Sequence, residues 1–96
     1  MTQYIIYAWD YQDDQALNRR MAAREEHLAK AKILKENGNL LIACAILDDN
    51  QKMIGSTLVL QFETEQELEN WKKNEPYVLQ NVWEKIDIKT VKVANL

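Results

Sequence analysis

Apolar residues fall along the chain in short blocks, and the spacing inside each block changes from one to the next. Tyr4 to Trp9 is a β-prone apolar run that stops at Asp10, which predicts a first strand. Asp13 and Asp14 follow, and either can cap a helix N-terminus. From Gln15 to Glu36 the apolar residues Leu17, Met21, Leu28, Ala31 and Leu34 recur near a helical period, and Gly38 supplies a stop. Leu40 to Leu47 is apolar at every position and ends at Asp48-Asp49-Asn50, which predicts a strand buried on both faces. Met53 to Phe62 predicts a third strand. Its Ile54, Leu58, Leu60 and Phe62 face one way, and Gly55, Thr57, Val59 and Gln61 the other. The short polar turn between these two runs makes them an antiparallel hairpin. Thr64 with Glu67 has the form of a capping box and opens a second helix carrying Leu68 and Trp71. Pro76 ends or kinks that helix, because the residue before a proline disfavours helical geometry. Val82 to Val93 is the last strand.

The order β-α-β-β-α-β predicts an α+β fold of the ferredoxin-like, split βαβ kind: a four-stranded antiparallel sheet with both helices on one face. A sheet with one solvated face alternates apolar and polar residues. Here Ile5, Tyr7 and Trp9 oppose Tyr4, Ile6 and Ala8, and the second strand is apolar throughout. Helices can cover only one of those faces. The simplest cover for the other is a second copy by twofold symmetry, so a homodimer through the sheet is expected, with a heterologous partner as the alternative.

At 96 residues the chain is expected to be a single domain spanning 1–96, small enough to gain stability by burying surface against a copy of itself. A hydrophobic share of 47% beside 28% charged residues is a globular balance, not a disordered one. The formal net charge of −3 and the lack of a basic stripe argue against nucleic-acid binding. One cysteine, Cys44, rules out an intramolecular disulfide and makes a zinc cluster implausible. No signal-peptide pattern and no apolar run of membrane-spanning length is present, so a cytoplasmic, non-membrane protein is expected.

His27 is the one histidine and the side chain whose unperturbed pKa lies near neutrality. It sits beside Leu28 at the edge of the first helix's apolar stripe, where a side chain can reach a cleft from a rigid element. An ordinary half-buried histidine is the competing reading. Arg24, three residues earlier on the same side, suits an anionic substrate or a surface ion pair. Glu75 precedes Pro76 and Tyr77 in a bend after the second helix. A carboxylate aimed from there onto an imidazole would fix its tautomer and raise its basicity, as a general base requires; otherwise it is a solvated acidic residue. Cys44, in mid-strand, reads as a small core residue and not a nucleophile. Trp9, Trp71 and Trp83 read as core or dimer packing. No phosphate loop, dinucleotide fingerprint or clustered histidines are present, and no cofactor or metal is expected.

Taken in order, these residues resemble the YciI-like (YCII-related) family nearly end to end. Tyr4 to Asp10 is similar to that family's opening strand with its closing Asp, and Arg24-Glu25-Glu26-His27-Leu28 matches an Arg-x-x-His-Leu signature. Leu34, Gly38 and Leu40-Leu41 match the helix end and the next strand. Gly55-Ser56-Thr57 matches the third strand, and Glu75-Pro76-Tyr77 stands where the family has Asp-Pro-Tyr or Asp-Pro-Phe. The resemblance implies a dimeric α/β barrel in which two sheets pack face to face, around a cleft holding a His–carboxylate pair, here His27 and Glu75. It implies a cofactor-independent lyase or isomerase acting on a small acidic or phenolic molecule, with Arg24 and Tyr77 binding substrate. The superfamily includes muconolactone-isomerase-like enzymes, and one family member is associated with dehydrochlorination of a chlorinated aromatic. The alternative is a non-catalytic dimeric module binding a small molecule or a protein. Three positions depart from the family pattern: Glu75 replaces Asp, Ala43-Cys44-Ala45 replaces an Ala-Gly-Pro ending, and Asn81 replaces a Gly.

Overall fold

The computed structural model describes residues 1–96. Along the chain run β1 (Thr2–Asp10), α1 (Ala16–Glu36), β2 (Leu40–Leu47), β3 (Met53–Phe62), α2 (Glu65–Asn74), α3 (Pro76–Leu79) and β4 (Trp83–Val91). The strands form one antiparallel sheet in the order β2-β3-β1-β4, the ferredoxin-like arrangement. Ile6 stands opposite Leu58 of β3 and Ile88 of β4, so the sheet's centre is built from β1 and its two neighbours. The core lies under the helices: Tyr4, Ile6 and Ala8 from β1 meet Leu58, Leu60 and Phe62 from β3, with Ala23, Leu68 and Tyr77 packed on them. Burial of each large apolar side chain contributes roughly 1.5–3 kcal/mol, enough to hold the helices to this face.

Gly55 is required by close approach. A Cβ there would stand 2.5 Å from the Ala8 carbonyl oxygen, so any larger residue would push β1 and β3 apart. The capping box forms as expected, with Thr64 Oγ1 accepting from Glu67 N and the Glu67 carboxylate accepting from Thr64 N. Asn81 takes a φ of 58°, a left-handed turn that asparagine tolerates, and it leads the chain from α3 into β4.

Four local expectations are corrected. First, α1 is capped by Gln15 without a side-chain bond. Asp13 instead accepts from the Gln15 N–H in the preceding turn, and Asp14 takes no capping role. Second, the buried stripe of α1 begins with Ala16, Arg20, Ala23 and His27, and Ala31 and Leu34 continue it half-buried. Leu17, Met21 and Leu28 are exposed. Arginine and histidine can occupy a buried stripe because each finds a buried carboxylate there. Third, Pro76 does more than stop α2: it opens α3, since a proline at the first helical position loses no needed N–H. Fourth, β2 is an edge strand, and within one chain only Leu40 of it is buried. Cys44 is therefore exposed and not a core residue. Its partner in β3 is Thr57, on the face away from the helices. That same face carries Tyr7, Trp9 and Ile42, all exposed within one chain. No helix is long and apolar enough to cross a membrane.

Candidate functional site

Two small residues of α1, Ala16 and Ala23, let the helix lie close on the sheet, and the two longer side chains between and after them, Arg20 and His27, run inward. Arg20 is 3% exposed. Its Nη1 donates to both oxygens of Asp10, at 2.9 and 3.1 Å, and its Nη2 donates to Ser56 Oγ at 2.9 Å. Trp83 Nε1 donates to the same Ser56 oxygen at 3.2 Å. Burial pushes the Asp10 carboxyl above its ordinary range, and the Arg20 guanidinium only partly offsets this.

Two turns of helix further on, His27 Nδ1 donates to Glu75 Oε1, and both side chains are buried. The local sequence explains the carboxylate's aim. Pro76 holds Glu75 extended, at φ −69° and ψ 124°, and starts α3 directly after it. Glu75 then caps α3, its Oε1 accepting from Tyr77 N at 3.3 Å, and the same oxygen reaches His27. The pairing commits Nδ1 to the carboxylate and leaves Nε2 to carry the lone pair of the neutral ring. The His27 ring is stacked on Tyr77, with centroids 3.9 Å apart and planes 10° apart, and Trp83 meets both edge-on. Arg20 lies 4.8 Å from the centre of the other ring in that stack, Tyr77. Burial pushes the Tyr77 phenol up, against the pull of Arg20 and Arg24.

Arg20, His27, Ser56 and Tyr77 line a cleft of about 160 Å³ between α1 and the edge of the sheet, and Asp10, Glu75 and Trp83 stand behind that wall, each hydrogen-bonded to one of its side chains. Arg24 is half-buried in its wall and joins none of the chain's ion pairs. Ala43, Cys44 and Ala45, one of the three departures from the family pattern, border the other side. Two cavities are larger. One of about 620 Å³ is lined by Asp10, Asp13, Asp14 and Asp48, and one of about 390 Å³ lies beside Trp71. His27 touches neither, although Glu75 borders the second. Size alone therefore points away from the cleft where a carboxylate-backed imidazole and two guanidiniums converge. No group of three or more His, Cys, Asp or Glu residues is arranged to hold a metal ion.

His27, Tyr77 and Arg24 thus line one cleft, and Glu75 is joined to it through its bond to His27. Reading the sequence missed Arg20, Asp10, Ser56 and Trp83. Two of them carried a signal. Arg20 precedes His27 by seven residues, two helical turns on one face. Ser56 interrupts the apolar face of β3 between Ile54 and Leu58.

Residues 2–92 match the family model of the YCII-related domain. Protein YciI of Escherichia coli O6:H1 (strain CFT073) is 34% identical over 95 residues, covering 93% of this chain and 95% of that one. An uncharacterised protein of Haemophilus influenzae is 37% identical over 95 residues, with the same coverage. Among solved structures, the 5-chloro-2-hydroxyhydroquinone dehydrochlorinase of Burkholderia phenoliruptrix AC1100, in complex with 2,5-dihydroxybenzoquinone, superposes with a TM-score of 0.82. Its sequence is 22% identical, and the match covers 96% of this chain and 95% of that one. A dimeric ferredoxin-like protein of unknown function from Jannaschia sp. CCS1 gives a TM-score of 0.55 at 12% identity, over 97% of this chain and all of that one. The two structural likenesses show a shared fold.

Proposed function

Since the chain belongs to the YCII-related family, we propose that it is a homodimeric, cofactor-independent lyase or isomerase acting on a small acidic or phenolic molecule. The observation that carries this reading is the buried His27–Glu75 pair at the wall of a cleft. Nε2 of His27 takes a proton from the substrate. Glu75 holds the ring in the required tautomer and stabilises the imidazolium that forms. Arg24 and Tyr77 position the substrate's acidic or phenolic group. The extra methylene of Glu75, relative to the family's Asp, does not keep the carboxylate from His27. A cleft of about 160 Å³ suits one ring or a short acid. The dehydrochlorinase with the same fold acts on a single-ring phenol, which supports this class.

The test is turnover of 5-chloro-2-hydroxyhydroquinone, followed by chloride release, together with exchange of acidic C–H protons for deuterium in a panel of phenols and enolisable acids. His27→Gln is expected to cost about 10²–10⁴-fold in rate, the usual contribution of a positioned general base. Full activity in both His27→Gln and Glu75→Gln would sink the reading. The Ala43-Cys44-Ala45 wall favours a second reading, a module that binds without turnover. A metabolite that raises the melting temperature, yet is recovered unchanged and unexchanged, would support it.

Dimerisation is proposed through the open sheet face, where Tyr7 is 43% and Ile42 56% exposed. Aromatic and aliphatic groups of that size on one face suit a self-complementary twofold interface. Sedimentation equilibrium is expected to give a dimer, and Tyr7→Lys a shift to monomer. A wild-type monomer at all concentrations would overturn it.

A further inference from the structure

Ser56 has no part in the proton transfer described above, yet its hydroxyl is held from two sides. It is 3% exposed and shares the cleft wall with Arg20, His27 and Tyr77. Its Oγ accepts from Arg20 Nη2 and from Trp83 Nε1. A serine oxygen has two lone pairs and one proton, while guanidinium and indole N–H groups only donate. Both lone pairs are therefore used, and the Ser56 proton is left to donate elsewhere. No acceptor within the chain takes it, since the only hydrogen bonds of Oγ are the two it receives.

The remaining groups of the wall have the same polarity. Arg20 Nε is buried without a partner, a second donor with nothing to donate to. Arg24 adds a guanidinium outside every ion pair of the chain. Asp10 is occupied by Arg20, and Glu75 Oε1 by His27 and the Tyr77 N–H. The cleft therefore has donors to spare on this side. A positive group donating into Oγ also polarises its O–H and makes it a better donor, and the effect is strongest where water is excluded.

We propose that Ser56 Oγ–H is the donor to the substrate oxygen on which negative charge develops, so that the cleft selects a phenolate or enolate oxygen. The proposal rests on His27 being the base. When His27 Nε2 takes the substrate proton, the electron pair left behind is delocalised onto that oxygen. Ser56 keeps its own proton and shares it in a hydrogen bond. Arg20 is a positioning residue in this scheme: Asp10 holds it, and it holds Ser56. A preorganised donor aimed at developing charge is a common source of rate enhancement.

The experiment uses 4-nitrophenol, whose ionised form is coloured, titrated with the full-length protein at a series of pH values. The wild type is expected to bind the phenolate about tenfold more tightly than the phenol, a preference of the size one charge-assisted hydrogen bond gives. The bound probe then ionises at a lower pH than the free one. Ser56→Ala is expected to lose the preference, and Ser56→Thr, which keeps the hydroxyl, to retain it. Ser56→Ala also strips an acceptor from Arg20 and Trp83 and can fail to fold. Ser56→Cys covers that case, because its sulfur still accepts but its S–H donates weakly, and the same loss is expected. An undiminished phenolate preference in either folded variant overturns the proposal, and so does a wild type with no preference. The base reading fails separately. His27→Gln is expected to abolish proton exchange while leaving the phenolate preference in place, and unchanged exchange would sink the base reading while the colour still reports on Ser56.

Discussion

Arg19 and Arg20 are consecutive on α1, and each pairs with an aspartate from the end of β1 or the loop after it, in opposite surroundings. Arg19 forks onto Asp13 at 2.9 and 2.7 Å near the surface, and its Nε donates to the Asn81 carbonyl at 3.1 Å. Arg20 forks onto Asp10 and Ser56 under the helix. The same chemistry moves the two carboxyls in opposite directions. Outside, the hydrogen bonds from Arg19 hold Asp13 down to about 2. Inside, loss of water outweighs the guanidinium, and Asp10 is pushed up. An exposed pair therefore tethers a loop and does little else, whereas the buried pair fixes the side chain that orients Ser56. One step along a helix turns the side chain by about a hundred degrees, and that rotation decides which pair shapes the cleft.

Breaking the inner pair is expected to have the largest effect. Arg20→Met leaves Asp10 buried without a partner and should cost about 3–5 kcal/mol in urea unfolding. Arg20→Met combined with Asp10→Leu should regain most of that, since replacing both members of a buried pair by apolar groups is often neutral. A single variant as stable as the wild type would mean that water reaches Asp10.

The pH dependence sharpens the contrast. A carboxyl with a raised folded pKa binds more protons folded than unfolded, so stability falls as pH rises above the ordinary value of 3.8. A carboxyl with a lowered folded pKa does the reverse, and stability rises as pH climbs from about 2 to 3.8. Urea midpoints measured across pH 2–6 for wild type, Asp10→Asn and Asp13→Asn should therefore yield difference curves of opposite slope. Parallel curves would refute the assigned directions.

Breaking the outer pair is expected to have the smallest effect. Arg19→Met should leave the urea midpoint near its wild-type value and mainly loosen the loop before α1, read as faster amide exchange at Gln15 and Ala16. A loss comparable with that of Arg20→Met would erase the distinction between the two pairs.

Much of this molecule was legible in the chain. The strands from Leu40 to Leu47 and from Met53 to Phe62 fall where apolar runs and a polar turn place them, and the capping box marks the start of α2 within a residue. These are local signals: a side chain's preference for strand, cap or turn depends on its neighbours in sequence. The failures were also local in origin. The leucines at 17 and 28 suggested the buried stripe of α1, but hydropathy cannot reveal that Arg20 and His27 have carboxylates waiting at the end of a strand and in a bend. Cys44 looked like core because every neighbour is apolar, while its place at the sheet's edge depends on strand order.

The sequence by itself determined the succession β-α-β-β-α-β, to which the structure adds the short α3, and the two apolar sides of β1, and it named His27, Glu75, Arg24 and Tyr77 as candidates. Periodicity and turn chemistry act over a few residues and are written in the chain. Only the tertiary structure decided that His27 meets Glu75 across 48 positions, that Ser56 receives two donors from separate elements, and that the edge strand forms the opposite wall. Those contacts arise from the packing of one helix on one sheet, where a rotation or a shift in register would send the same side chains elsewhere.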